Sequence, residues 1–299
     1  MHTDHTERIN RVVDHIQSNL GSDLSVSRLA RIACYSEFHF SRIFKSVVGE
    51  PVHGFIRRLR LEKAAQRLLA APEIPVTEIA LACGFATPSS FAKGFKARFG
   101  MNATQWRRHW VQPRERTDFR PGPALDRGRP VWTFGTGEGI RRVGIEDIPS
   151  LTVAYIRHVG PFQGDGRLFD RLYARLFRWA LPRGYATDGQ ATLNIYHDNP
   201  HITGQNHMRV MVAVPVPDSA VPWDPVGITR LPGGRYGVCR LRLAMDQFVP
   251  AWEWLFSAWL PASGFELADR ELLERYLGET RINGIRHFDV ELCVPVRPA

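Results

Sequence analysis

Hydrophobic positions in the first 110 residues recur at the spacing of an amphipathic helix. Ile9, Val12, Val13 and Ile16 set the pattern near the start, and the run from Leu59 to Leu69 repeats it. Residues three and four apart lie on one face of an α-helix, so they can pack against a common core. The pattern therefore predicts an all-α first domain.

Beyond residue 150 the apolar residues alternate with other residues, which is the period of a β-strand. Helical spacing returns twice between the alternating runs. Strands are predicted around 151–156, 210–214 and 290–294, and helices over Leu168–Ala180 and Asp246–Leu260.

The segment between the two regions is rich in proline and glycine and has no periodicity, which is typical of a linker. We therefore expect a multidomain chain. An all-α domain occupies residues 1–111, a linker follows at 112–138, and an α+β domain occupies 139–299.

The helical region contains a sequence repeat. Ten positions between Val26 and Gly49 return between Val76 and Gly100, at an offset of 50 in the first half of the unit and 51 in the second. The insertion falls where a turn would join two short helices. Each unit therefore predicts a helix-turn-helix, and two copies would grip DNA at two points.

The second helix of each unit presents an outward face suited to DNA. Side chains near the start of a recognition helix contact bases, whereas basic residues elsewhere contact phosphates. The expected base readers are Ser41 and Arg42 in the first copy, with Phe38 against a thymine methyl, and Ser89, Ser90 and Lys93 in the second.

Five basic residues are candidates for phosphate contact. Lys45 and Lys96 each follow a core phenylalanine, and the sequence leaves phosphate contact and plain solvation equally open. The long helix between the copies carries the other three candidates, Arg57, Arg58 and Arg60.

The charge distribution supports a nucleic-acid partner for the helical region. The chain carries a net charge of +9, of which +8 lies in residues 1–116. A basic surplus that coincides with a helix-turn-helix repeat favours double-stranded DNA as the partner.

The segment from Ile9 to Trp106 resembles the AraC/XylS family of bacterial transcription regulators. The motifs IA-x-x-x-GF and FK-x-x-FG carry the resemblance, in IALACGF and FKARFG of the second copy. It implies a seven-helix double helix-turn-helix domain that binds promoter DNA and acts through RNA polymerase or as a repressor. The domain is N-terminal here, which is the Rob-like arrangement.

The second region also repeats itself. The run LFRWALPRGY (176–185) is echoed by LFSAWLPASGF (255–265), and Tyr196 by Tyr276 at an offset of 80. Two copies of one strand-helix-strand-strand unit would pack about a pseudo-two-fold axis. Such an arrangement leaves a groove between the copies that is suited to a ligand.

This duplicated region resembles the GyrI-like effector-binding domain, through VGPF (159–162), IYHDNP (195–200) and ERYLGE (274–279). The resemblance implies a small hydrophobic effector, aromatic or cationic, and multidrug sensing. Seven aromatic residues are candidates for the groove wall, although residues at such spacing also form cores: Tyr155, Tyr196, Trp223, Phe256, Trp259, Tyr276 and Phe288.

Glu291 is the candidate anion of the groove. It lies in the middle of a predicted strand where the other copy has Met211. If its face lines the groove, the carboxylate would attract a cationic effector through charge and cation–π contact. If that face is exposed, Glu291 is a solvated surface residue, and the sequence does not decide between the two.

Two other functions stay open for the second domain. It would hydrolyse its ligand if Glu291 and Tyr276 formed an acid/base pair, or it would serve as a protein-interaction adaptor. The sequence contains no P-loop, dinucleotide fingerprint, nucleophile elbow or metal-ligand spacing, so we expect no cofactor or metal. The polar N-terminus and the lack of a long apolar run predict a cytoplasmic protein that does not contact membranes.

Overall fold

The computed structural model describes residues 5–111, 124–126, 129–131, 143–186, 190–200 and 202–299. The chain forms two units, each of which is described by itself. Most of the predicted linker lies outside the described residues. Its described part comprises the short strands β1 (Ala124–Asp126) and β2 (Arg129–Val131), which pair antiparallel.

The first unit is helical, which confirms the predicted fold class. Helix α4 is the 19-residue spacer, and the pairs α2–α3 and α5–α6 are the two helix-turn-helix units. The helices are α1 (His5–Ser18), α2 (Val26–Ile32), α3 (Glu37–Val48), α4 (Val52–Ala70), α5 (Val76–Ala82), α6 (Pro88–Phe99) and α7 (Ala103–Val111).

Both recognition helices have defined ends. The side-chain oxygens of Ser36 and Thr87 each accept a backbone N–H three residues later, at the starts of α3 and α6. The helices end at Gly49 and Gly100, with φ of 87° and 74°, a left-handed conformation that glycine adopts without strain. These caps fix which side chains each helix exposes.

The second unit is an antiparallel sheet with helices, again as predicted. Its described strands lie in the order β3-β8-β11-β10-β5-β6-β4-β7, and β9 pairs with the end of β11. The strands are β3 (Val143–Ile148), β4 (Leu151–Val159), β5 (Thr192–Tyr196), β6 (Arg209–Pro215), β7 (Gly227–Leu231), β8 (Gly234–Ala244), β9 (Phe265–Leu267), β10 (Leu272–Ile282) and β11 (Ile285–Pro298).

The sheet has the pseudo-two-fold symmetry that the repeat predicts. Its central strands β5 and β10 pair antiparallel, with Asn194 directly opposite Glu274. These residues are 80 apart, which is the repeat offset, so the axis passes between them. Each is followed two residues later by a tyrosine, Tyr196 or Tyr276, on the same face of the sheet.

The two helical segments of this unit differ by one residue, and a π-helix accommodates the difference. In the first copy, α8 (Gly166–Ala180) is α-helical throughout. In the second copy, five π-helical residues, 255–259, lie between α9 (Phe248–Trp254) and α10 (Leu260–Ala262). The second copy contains the longer run, LFSAWLPASGF, so the wider turn takes up the inserted residue without shifting the rest of the repeat.

The helices cover the outer strands of one sheet face. Helix α8 contacts β4 and β6, whereas the α9 segment packs against residues of β8 and β11. The central strands β5 and β10 therefore form the floor between the two helical segments. Among the described residues, no helix is long and apolar enough to cross a membrane.

Candidate DNA-binding surface and ligand groove

The recognition helices bury phenylalanines on one side and expose polar and basic residues on the other. Phe40 and Phe44 of α3, and Phe91 and Phe95 of α6, lie in the core. The opposite faces expose the eight residues that the sequence predicts for these helices: Phe38, Ser41, Arg42 and Lys45 on α3, and Ser89, Ser90, Lys93 and Lys96 on α6.

The first copy holds an arginine in an ordered position on its exposed face. The guanidinium of Arg42 lies 5.6 Å from the centre of the Phe38 ring, and 69% of Phe38 is exposed. A cation–π contact of this kind restricts the arginine before any partner arrives. In the second copy, the Ser90 hydroxyl instead donates to the Thr87 carbonyl 2.8 Å away.

Of the three spacer arginines, Arg57 keeps the exposure that phosphate contact requires. It lies against α6 at Gly94, where an added Cβ would come 3.0 Å from its Nη2. It also lines a cleft of about 520 Å³ within the helical unit. Arg57 therefore lies against α6 at Gly94, the residue after Lys93 in the chain.

The prediction for Arg58 is wrong. Its side chain is 6% exposed. Its Nη2 lies 2.5 Å from Oε1 of Glu50, and its Nη1 lies 3.1 Å from Oε2 of Glu62. The second oxygen of Glu62 accepts from Arg98 of α6 at 2.6 Å. Because an arginine held between two carboxylates cannot also reach phosphate, Arg58 stabilises the helical core instead.

Arg60 is partly buried and has a structural role, and its phosphate contact stays a prediction. Its Nε and Nη2 donate to the backbone carbonyls of Leu20 and Ser22, each at 2.9 Å. These bonds tie α4 to the loop before α2. The helical pattern showed that α4 needs polar residues, but it did not show which of the three arginines face inward.

Glu291 neither lines the groove nor is a solvated surface residue, so both alternatives that the sequence left open are wrong. Glu291 pairs directly with Arg275, and cross-strand partners share a face of the sheet. Its carboxylate is 4% exposed and forms ion pairs with Arg275 at 2.8 Å and Arg240 at 2.9 Å. Glu274 and Tyr276 flank Arg275 on β10, so they point to the opposite face, toward the helices.

Glu274 is a buried carboxylate on β10, in the floor between the two helical segments. It is 2% exposed, and four neutral groups donate to it. Its Oε2 accepts from the Tyr196 and Tyr276 hydroxyls, both at 2.7 Å, and from Asn194 Nδ2 at 3.0 Å. Its Oε1 accepts from Trp252 Nε1 at 2.9 Å. Among the described residues, no basic side chain forms a salt bridge with this carboxylate.

The two tyrosines remain protonated donors. Burial, followed by the charge of Glu274, raises the pKa of Tyr196 and of Tyr276 well above the ordinary tyrosine value. Their hydroxyl protons therefore stay in place at neutral pH and hold the carboxylate. The result is one buried negative charge that is solvated by dipoles alone.

Aromatic rings surround this carboxylate. Two of the predicted wall residues, Tyr196 and Tyr276, contact it directly, and two more lie beside it. Phe288 packs edge-on against Tyr276 with 5.5 Å between ring centres, and Phe256 stacks on Trp252 at 5.9 Å. Two further rings lie here that were not among the predicted wall residues: Phe162 contacts the Tyr196 ring, and Phe248 stacks on Tyr276.

The other three predicted wall residues lie elsewhere. Tyr155 pairs with Ala213 and belongs to the core on the Glu291 side of the sheet. Trp259 is buried over Gly237, where it leaves no room for a Cβ. Trp223 lies in the loop between β6 and β7 and is 67% exposed. None of these three residues therefore lies beside Glu274.

Sequence reasoning missed Glu274 although a signal was present. Glu274 precedes Tyr276 by two residues, just as Asn194 precedes Tyr196, so strand alternation places each pair on one face. The proposed acid/base pair is not assembled, because Glu291 and Tyr276 lie on opposite faces. Trp252 donates to Glu274 from helix α9, so the alternation of residues along the strands could not have indicated it.

Two family models match the chain in the two regions just described. GyrI-like, described as "GyrI-like small molecule binding domain", matches residues 142–297. HTH_18, described as "Helix-turn-helix domain", matches residues 29–109. The first match covers more than half of the chain and includes the complete Glu274 site.

Similar curated proteins divide between the same two regions. The "DNA gyrase inhibitor" of Edwardsiella piscicida is 34% identical over 161 residues, which cover 52% of this chain and 98% of that protein. The "HTH-type transcriptional activator AarP" of Providencia stuartii is 35% identical over 99 residues, which cover 33% of this chain and 73% of that protein. The match to "Probable transcriptional regulator LumQ" of Photobacterium leiognathi is 34% identical and covers 33% of this chain and 41% of that protein.

The chain thus combines an AraC-type helix-turn-helix domain with a second domain that the family model covers almost end to end. It belongs to the GyrI-like small molecule binding domain family.

Proposed function

We propose that this protein is a transcription regulator whose activity responds to an aromatic cation. The helices α3 and α6 bind promoter DNA, with Arg42 and Lys93 among the base readers and Arg57 on phosphate. The effector binds over β5 and β10, with its charge near Glu274 and its rings against the surrounding aromatic residues.

The buried carboxylate of Glu274 is the observation that carries the cationic effector. A buried charge without a counter-ion is costly, and four neutral donors recover only part of its hydration. A ligand cation would supply the missing charge, and the neighbouring tyrosine, tryptophan and phenylalanine rings favour cations on their faces. A neutral or anionic effector would gain nothing from this carboxylate.

Three further statements belong to this proposal. The bound regulator contacts RNA polymerase at its promoters, it acts in the cytoplasm where promoter DNA lies, and it returns its effector chemically unchanged. The separation of Glu291 and Tyr276 on opposite sheet faces removes only the acid/base pair predicted from the sequence.

Two ions of the same shape and opposite charge test the effector class. Tetraphenylphosphonium is expected to raise the melting temperature of the full chain, whereas tetraphenylborate is not, because ligand binding to the folded state stabilises it. The phosphonium should also change the affinity of the protein for its selected operator. Equal stabilisation by both ions would contradict a cationic site.

Substitution of the reader residues tests the DNA-binding surface. Operator sequences are first selected from random duplexes with the full chain. Arg42→Ala is then expected to cost about 1–3 kcal/mol of binding free energy and to relax base preference at one position, as loss of a bidentate base contact does. Lys93→Ala should act at a different position of the operator.

Arg57→Ala provides the matched contrast. Loss of a phosphate contact weakens all sequences alike and lowers the slope of log affinity against log salt by about one. The measurement is fluorescence anisotropy at several salt concentrations. Unchanged operator affinity in both Arg42→Ala and Lys93→Ala would overturn the assignment of the readers.

A further inference from the structure

The two residues on the pseudo-two-fold axis differ in charge. Asn194 and Glu274 occupy equivalent positions of the duplicated unit and are direct cross-strand neighbours on β5 and β10. Asn194 Nδ2 donates to Glu274 Oε2 at 3.0 Å, and both residues are buried, at 3% and 2% exposure. A symmetric pair of acids here would place two carboxylates in contact.

The amide of Asn194 is held in the orientation that supports the carboxylate. The hydroxyl of Tyr173, from α8, lies 2.9 Å from Asn194 Oδ1 and 3.0 Å from the carbonyl oxygen of Leu193. Burial raises the pKa of Tyr173 above the ordinary tyrosine value, so the hydroxyl keeps its proton, which these two oxygens share. With Oδ1 occupied in this way, Nδ2 faces Glu274, and the amide adds a donor to the site without adding charge.

We propose that Asn194 is the residue that sets the charge of the effector, and that the neutral amide on the axis restricts the groove floor to ligands with one positive charge. The inference rests on the proposed cationic effector and adds a charge count, which is the number of positive charges that the bound effector carries. One carboxylate with neutral donors balances one positive charge. A second positive charge brought to the same floor would lose its hydration and find no partner.

Asn194→Asp tests the charge count because aspartate has the shape of asparagine. The probes are ethidium, which carries one permanent positive charge, and propidium, which has the same ring system and a second quaternary ammonium group. In the full chain without DNA, wild type should prefer ethidium. The variant should shift the ratio of the two affinities toward propidium by about tenfold, which corresponds to one favourable charge pair.

The shift should also depend on pH. Two carboxylates in contact share a proton at low pH and both ionise as pH rises, so the preference of Asn194→Asp for propidium should grow with pH. A purely structural role for Asn194 would lower both affinities together and leave their ratio unchanged.

A charge-swapped variant keeps the test valid if two adjacent acids prevent folding. Asn194→Asp combined with Glu274→Gln moves the carboxylate across the axis and leaves the count at one. It should therefore retain the wild-type preference for ethidium. Tyr173→Phe is the matched positioning control, and it should weaken both dyes without changing their ratio.

The possible outcomes separate this inference from the function on which it rests. If wild type binds neither dye, the cationic effector fails, and the charge count fails with it. If wild type binds ethidium and Asn194→Asp leaves the affinity ratio unchanged, only the charge count is overturned. A charge-swapped variant that prefers propidium would overturn it as well.

Discussion

Glu274→Gln is expected to weaken tetraphenylphosphonium binding by about 100-fold or more and to raise the stability of the protein. Loss of one partner from a desolvated charge pair costs 2–5 kcal/mol of binding free energy. In the free protein, however, this carboxylate is 2% exposed and has neutral partners, so the neutral amide removes an electrostatic penalty. Titration calorimetry measures the first effect, and urea unfolding without ligand measures the second.

Glu291→Gln is the matched control, in which ligand binding should be unaffected and the change in stability should have the opposite sign. Glu291 is also buried on a strand of the same sheet, but it forms ion pairs with Arg240 and Arg275 on the opposite face. Its substitution removes the carboxylate that bridges the two arginines, although Arg240 keeps Glu146, and it should lower stability while ligand affinity stays as in wild type. Loss of phosphonium binding in Glu291→Gln but not in Glu274→Gln would contradict the assignment of the groove face.

The repeats made most of the fold predictable. Two helix-turn-helix units follow from apolar spacing together with the caps at Ser36 and Thr87, since each of these signals is local. The symmetric sheet follows from the offset of 80 that relates Tyr196 to Tyr276. The echo of LFRWALPRGY in LFSAWLPASGF predicted matching helical segments, but it gave no sign that a π-helix would absorb the extra residue of the second run.

The groove was less predictable because it depends on which face of each strand meets the helices. Alternation along β11 groups Glu291 with Cys293, but it does not say which of the two faces is covered. The pairing of Arg275 with Glu291 decides the face, and that register is a property of the assembled sheet. Among the spacer arginines, Arg57 and Arg58 differ by one position on α4, which is enough to separate an exposed side chain from a buried one.

Arg58→Met is expected to lower the free energy of unfolding of the helical domain by about 3 kcal/mol. Removal of one member of a buried ion pair costs 3–5 kcal/mol, and the lower end applies because Arg98 still pairs with Glu62. Arg57→Met, one residue earlier on the same helix, should change stability by no more than about 0.5 kcal/mol, since it is exposed. Urea unfolding of the full chain, followed by the helical circular dichroism signal, measures both.

For DNA binding the order of the two variants should be reversed: Arg57→Met should have the larger effect and Arg58→Met the smaller one. Arg57→Met is expected to lower the salt dependence of operator binding, whereas folded Arg58→Met should bind with the wild-type slope. If Arg58→Met instead leaves stability unchanged and lowers the salt slope, Arg58 contacts phosphate, and the buried network is not what holds α4 to α6.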